Sequence, residues 1–292
     1  MGILHITLAA LALTTAQAQT PAQTPSQILE AAPEEVWQAV DPENLLVMDL
    51  PSGTMLIELR PDLAQQHVER VKSLTRQGFY DGTVFHRVIE GFMAQGGDPT
   101  ATGTGGSTLP NLPGEFARPV AGLDAFVPLG RDNRAAQIGF LGSVPVGAQP
   151  ATLPGLLVED TVALWGLHCP GVMSMARAGD PNSANSQFFV MFGDNRSSLD
   201  QRYTVWGRVV DGQRNTRRIN RGEPPARPTP IVRMRIAADI PVEDRPAVEV
   251  LRSDSETFTA WLRSTGALSS TGFFRDVCNV TVPVRVNKEI TS

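Results

Sequence analysis

What is scarce in this chain narrows its chemistry before any motif is considered. Its 25 lysines and arginines are outnumbered by 30 acidic residues, a formal net charge of −5. No overall basic field exists to attract nucleic acid or an anionic membrane, and neither is expected as a partner. Only two cysteines occur, and His168-Cys169 has no companions at metal-ligand spacing, so no metal site and no cofactor are expected. Gly103-Thr104-Gly105-Gly106 lacks both the lysine and the spacing of a phosphate loop and reads as a turn. Ser174, His86 and Asp98 offer the residue types of a hydrolase triad, but Ser174 is not set in a Gly-x-Ser-x-Gly elbow. Beyond the N-terminus no run is long and apolar enough to cross a bilayer, which predicts a mature chain without stable membrane insertion.

What is present points to a turn-rich β protein. Hydrophobic residues make up 41% and charged residues 19%, with 26 glycines and 23 prolines, a punctuation that disfavours helical bundles. The length of 292 residues allows one decorated domain or two small ones. Near the N-terminus an apolar run, Ile3 to Leu13, precedes Ala16-Gln17-Ala18, the small-x-small pattern cut by signal peptidase. Ahead of that run only the α-amino group and His5 offer positive charge. Residues 1–18 are expected to be a secretory signal and the mature protein periplasmic or secreted; the competing membrane anchor needs a longer run. In an oxidising compartment Cys169 and Cys278 either pair, stapling the C-terminal stretch to the core, or stay as two buried thiols. Sequence leaves both open, because it does not fix the Cα separation.

Residues 19–44 read as a leader, flexible through Gln19 to Ser26, then a short helix over Pro33 to Val40 whose Trp37 packs on the main body. Leu45 to Leu50 and Thr54 to Leu59 are apolar-rich strands joined by Pro51-Ser52-Gly53, a hairpin signal. Between Pro61 and Gln77, Ala64, Val68, Val71 and Leu74 recur at three- and four-residue spacing and predict an amphipathic helix with Gly78 at C′. His67 falls on the same stripe and reads as a packed neighbour without a role. Further strands are predicted at Ala135 to Leu141, Tyr203 to Val210 and Ile231 to Asp239, with a short helix at Gly212 to Ile219. Past Pro241 come a helix candidate, Glu256 to Leu262, and a β-prone tail, Val277 to Val286, together too short to bury a core of their own. The expected domain covers 45–240, leaving 241–292 as an extension.

Two blocks carry the chemistry. Phe85-His86-Arg87-Val88-Ile89-Glu90-Gly91-Phe92-Met93-Ala94-Gln95-Gly96-Gly97-Asp98 sets one arginine beside large apolar side chains and an amide. Ser174-Met175-Ala176-Arg177-Ala178-Gly179, followed by Asn185-Ser186-Gln187-Phe188-Phe189-Val190, repeats the theme of small residues, an amide and aromatics. Together they describe a site that holds something apolar and polarises it. In these blocks the chain resembles the cyclophilins, the cyclosporin-class peptidyl-prolyl isomerases, from about Leu45 to Asp239 excluding a stretch, about 107–170, much longer than usual. The resemblance implies a mainly β fold: a closed eight-stranded antiparallel barrel capped by two helices. The long stretch is expected to add strands or a loop lobe near the barrel mouth.

The resemblance also implies isomerisation of X-Pro bonds in exported proteins, with proline-containing polypeptides as partners and a monomeric enzyme. Arg87 would donate to the amide nitrogen, with Gln95 and Gln187 orienting it and the substrate backbone. Phe92, Met93, Phe189 and Leu199 would wall the proline pocket, and Tyr203 would stand at a rim where histidine is common. Ala176 and Arg177 align with the peptide-binding edge, although asparagine is common at the second position. Ser198 replaces the tryptophan of cyclosporin-sensitive members, which implies weak cyclosporin binding. The alternative from another class is a periplasmic chaperone or scaffold that binds proline-containing chains with weak turnover.

Overall fold

The computed structural model describes residues 23–121, 126–150 and 161–291. The expected signal lies outside them, as do residues 122–125 and 151–160 of the long stretch. Thr24, expected in a flexible leader, instead caps helix α1 (Pro25–Glu30): its hydroxyl accepts from the Gln27 N–H while the Gln27 side chain accepts from the Thr24 N–H. The helix expected over Pro33 to Val40 is one 3₁₀ turn, Glu34–Val36, followed by strand β1 (Trp37–Ala39). Its strand partner lies far downstream, where short-range helix signals do not reach.

The hairpin of β2 (Leu45–Leu50) and β3 (Gly53–Leu59) forms as the turn chemistry requires. Helix α2 (Gln65–Arg76) buries Val68, Val71 and Leu74 and stops before Gly78, whose φ of +67° suits glycine. Its N-cap residue, Ala64, supplies no side-chain cap. Glu115 does so from the long stretch, accepting from the N–H groups of Gln66 and His67 and from His67 Nδ1 at 2.6 Å.

The remaining elements are β4 (Arg87–Ile89), β5 (Met93–Gly96), β6 (Arg118–Ala121), β7 (Gln137–Leu141), β8 (Val144–Pro150), β9 (Thr161–Gly166), β10 (Val172–Met175), β11 (Phe188–Met191), α3 (Arg196–Leu199), β12 (Val205–Asp211), β13 (Arg233–Ile236), β14 (Val248–Leu251), α4 (Glu256–Ser264), β15 (Val284–Val286) and β16 (Glu289–Thr291). The short helix expected before β13 is a 3₁₀ segment, Gln213–Arg218, and the closing strand gives way to a 3₁₀ turn at Ala237–Asp239.

Eight strands pair antiparallel in the order β13-β2-β3-β12-β10-β11-β5-β4. The expected closed barrel is not completed: β13 and β4 remain edges of an open sheet, with isolated bridges from Gly222 to Val88 and from Pro230 to Val84 in the segment between them. Pro224, Pro225, Pro228 and Pro230 occupy the linking segment, and proline has no N–H to sustain a ladder.

Leu46, Met48, Met55, Ile57, Phe188 and Trp206 fill the interior of this curved sheet, with Val68 and Val71 of α2. The alternate residues Leu45, Val47, Leu56 and Val205 face a second, outer core. Two further four-stranded sheets build it: β6-β9-β8-β7 from the long stretch and β1-β14-β15-β16 from the two ends of the chain. The C-terminal extension is therefore no appendix, since α4 shares a core with the inserted sheet; Phe258 meets Phe140 edge-on at 5.9 Å. Cys169 and Cys278 are joined as a disulfide between these parts.

Candidate active site

Strand register brings the first block's residues onto one face. Arg87 stands opposite Gln95, Gln95 opposite Phe189, and Phe189 opposite Ser174. Directly opposed residues share a face, so these form a row across four strands, with Ile89, Met93 and Met191 beside it. The intervening Val88, Ala94 and Val190 point into the barrel core. His86 is buried, whereas the Arg87 side chain is 42% exposed.

An apolar wall surrounds the row. Met93, Phe189 and Leu199 are buried, and Phe92, Ala176 and Tyr203 are half-buried against them. Phe189 meets Tyr203 edge-on at 5.8 Å and stacks on His168 at 6.1 Å. Arg177 lays its guanidinium over the Tyr203 ring at 4.5 Å and near Phe116 of the inserted stretch, while its Nε donates to the Arg202 carbonyl. Ser198 is exposed, and its hydroxyl donates to the Asn195 carbonyl of its own turn.

The amides of the row are committed to a loop. Gln95 Nε2 donates to Gln187 Oε1 at 2.8 Å, and Gln187 Nε2 donates to the carbonyls of Gly103 and Gly105. Asp98 shapes that loop by accepting from the N–H groups of Thr100, Gly103 and Gly105. Burial pushes the Asp98 carboxyl up, but the Thr100 hydroxyl and these N–H donors outweigh it and hold the pKa below the usual range. Gly97, at φ +80°, permits the strand to pass, since a Cβ there would lie 2.6 Å from the Ser186 carbonyl. Arg87, expected to be oriented by Gln95, instead donates from Nε to Glu223 Oε2 at 2.7 Å. Nothing in the local sequence marks Glu223, because it reaches Arg87 only through the tertiary fold.

Ser174, His86 and Asp98 do not come together as a triad. Ser174 Oγ lies 3.0 Å from His168 Nε2, and His168 Nδ1 lies 2.9 Å from Asp200 Oδ1. Ser174 is fully buried and its hydroxyl donates to the Thr204 carbonyl, so no substrate carbonyl can reach it and the array fixes the pocket wall. The sequence offers His168 only as a rejected metal ligand and gives Asp200 no mark, since neither stands in a catalytic motif of its own. Among the described residues no three potential ligands cluster to hold a metal ion, and no helix is long and apolar enough to cross a membrane.

Comparison with known proteins follows the same lines. Residues 45–238 match the family described as cyclophilin type peptidyl-prolyl cis-trans isomerase/CLD. The chain is 37% identical over 195 residues to a probable peptidyl-prolyl cis-trans isomerase of Brucella suis biovar 1, covering 63% of this chain and 75% of that protein. A putative peptidyl-prolyl cis-trans isomerase of Staphylococcus epidermidis is 29% identical over 200 residues, covering 59% and 79%. Among solved structures, cyclophilin AquaCyp293 from Hirschia baltica superposes with a TM-score of 0.75 at 35% identity, over 86% of this chain and 93% of that one.

Proposed function

Because this chain belongs to the cyclophilin-type peptidyl-prolyl cis-trans isomerase family and is such an isomerase, we propose that it turns over X-Pro bonds of exported proteins, with Arg87 as the donor to the amide nitrogen. The observation carrying the site assignment is the single outward row of Arg87, Gln95 and Phe189 with Met93 beside it. Rotation about an X-Pro bond meets a barrier of about 18–20 kcal/mol set by lone-pair delocalisation, and no covalent bond needs to change. The enzyme holds the proline ring against Phe92, Met93, Phe189, Leu199 and Tyr203, while a guanidinium N–H stabilises the pyramidal nitrogen of the twisted amide. Lowering the barrier by about 7 kcal/mol gives roughly a 10⁵-fold acceleration. Gln187 and Ala176 orient the peptide backbone, and Arg177 over Tyr203 sets the flank preference.

The export assignment rests on the N-terminal signal pattern and gains support from the disulfide, which suits an oxidising compartment. The protein acts as a monomer in the periplasm or outside the cell. The exposed Ser198 offers neither ring surface nor indole donor, so cyclosporin binds weakly; a low-nanomolar inhibition constant would refute this. The deciding assay follows isomerisation of a proline test peptide by the protein starting at Gln19, beside Arg87→Ala. A loss of at least tenfold in the folded variant is expected. Undiminished turnover removes Arg87 from the mechanism, and no turnover by a folded parent leaves a proline-peptide-binding chaperone.

A further inference from the structure

Arg87 is a long, half-exposed side chain, and its usefulness depends on where its guanidinium spends its time. Gln95, directly opposite, is engaged with Gln187 and does not hold it. The partner that does is Glu223, at 2.7 Å from Nε, which leaves both terminal nitrogens of the guanidinium as donors. The carboxylate stands on a fixed ledge. Gly222 exchanges both backbone hydrogen bonds with Val88, the residue after Arg87. At φ +142°, Gly222 has no room for a Cβ, which would lie 2.6 Å from Pro225 Cα. Two prolines follow, and Pro225 is buried. A second ion pair, Arg221 Nε to Glu90 Oε2 at 2.6 Å, crosses the same junction in the opposite sense. Segments 221–223 and 87–90 are thus strapped together from both sides.

We infer that Glu223 is the positioning residue for Arg87, holding the guanidinium fork in its working orientation through Nε. This rests on the reading of Arg87 as the donor to the amide nitrogen. An exposed ion pair of this kind contributes at most about fivefold, and here the contribution falls on kcat, because the ground-state peptide is held by the apolar wall. The test measures kcat and KM separately for the parent, Glu223→Ala, Glu223→Gln, Glu223→Asp, Arg87→Ala and the Arg87→Ala/Glu223→Ala double variant, each at matched thermal stability. Glu223→Ala is expected to lower kcat about three- to fivefold with KM within twofold, and Glu223→Asp to recover most of it. In the Arg87→Ala background the second substitution should change nothing, which a merely structural role for Glu223 would not produce. Unchanged or raised kcat in both Glu223→Ala and Glu223→Gln, beside an impaired Arg87→Ala, overturns the inference alone. Equal losses from Glu223→Ala in both backgrounds overturn it as well. An active Arg87→Ala overturns the site assignment and this inference with it.

Discussion

The barrel interior and the outer core are both built of buried apolar side chains, yet they are assembled in different ways. The interior draws on neighbours in sequence: the β2–β3 hairpin, the β4–β5 hairpin and the β10–β11 pair, with α2 laid against them. The outer core gathers residues from distant parts of the chain, Trp37, members between Phe126 and Ala148 and between Leu164 and Cys169, and members between Val248 and Val284, onto the backs of barrel strands. Its long-range crosslinks run through buried arginines and a disulfide. The fully buried Arg208 donates to the carbonyls of Ser143 and Val280, and burial lowers its pKa to about 10 against the opposing pull of Glu58, so it stays cationic at neutral pH. Arg196, at the start of α3, bonds Asp194, Asp132 and Asp276 at once. Segments far apart in sequence carry a larger closure entropy, which such bonds and the disulfide offset. Met93, Phe189 and Leu199 also belong to the outer core, so the proposed proline pocket is bounded by the less local of the two regions.

Breaking the disulfide separates the two regions most sharply. It joins residues 109 positions apart, and reduction or Cys278→Ser should cost the outer core about 4–5 kcal/mol, read as a lower denaturation midpoint; an unchanged midpoint would show that the polar crosslinks suffice. Next in size are Phe188→Ala in the interior and Phe258→Ala in the outer core, each expected to cost about 3–5 kcal/mol. Hydrogen exchange distinguishes them: Phe188→Ala should speed exchange throughout, whereas Phe258→Ala should speed it first in β7, β8, β14 and β15. Identical patterns would mean one cooperative unit. Glu115→Ala, which uncaps α2 and unties the inserted stretch from the barrel, should cost about 1–2 kcal/mol in chemical denaturation.

Acid gives the gentlest test. Burial pushes Glu115 up, but bonds from the His67 ring and from the N–H groups of His67 and Gln66 outweigh it, so its pKa, like that of Asp98, lies below the usual range. The unfolded state therefore binds more protons as pH falls, and both groups stabilise fully above about pH 4.3 and lose that effect as pH drops through their folded values. Melting temperature should be level near neutrality and decline below about pH 4.5, with Glu115→Gln and Asp98→Asn each flattening the decline. A decline of equal steepness in both variants would assign the acid sensitivity to other carboxylates.

Much of the interior is legible in the sequence. The α2 stripe, the β2–β3 turn and the spacing of Arg87, Phe92, Met93 and Gln95 are local patterns with periods of 3.6 and 2, and the structure keeps them. The outer core left only a faint mark: Leu45-Leu46-Val47-Met48 is apolar without alternation, as a strand covered on both faces must be, and Arg208 sits between apolar neighbours in β12. Neither mark names a partner. For the same reason the local pattern around Trp37 reads as a helix, since its strand partner Leu251 is more than two hundred residues away.

By itself, then, the sequence determined which side chains share the outward face, because strand alternation places Arg87, Gln95 and Met93 on one side of adjacent strands whatever surrounds them. Only the tertiary structure decided that Gln95 serves Gln187 rather than Arg87, that Glu223 takes the guanidinium, and that the barrel stays open at its proline-rich seam. Each of those outcomes depends on which groups compete for one donor or one edge, and that competition exists only once distant segments share the same few ångströms.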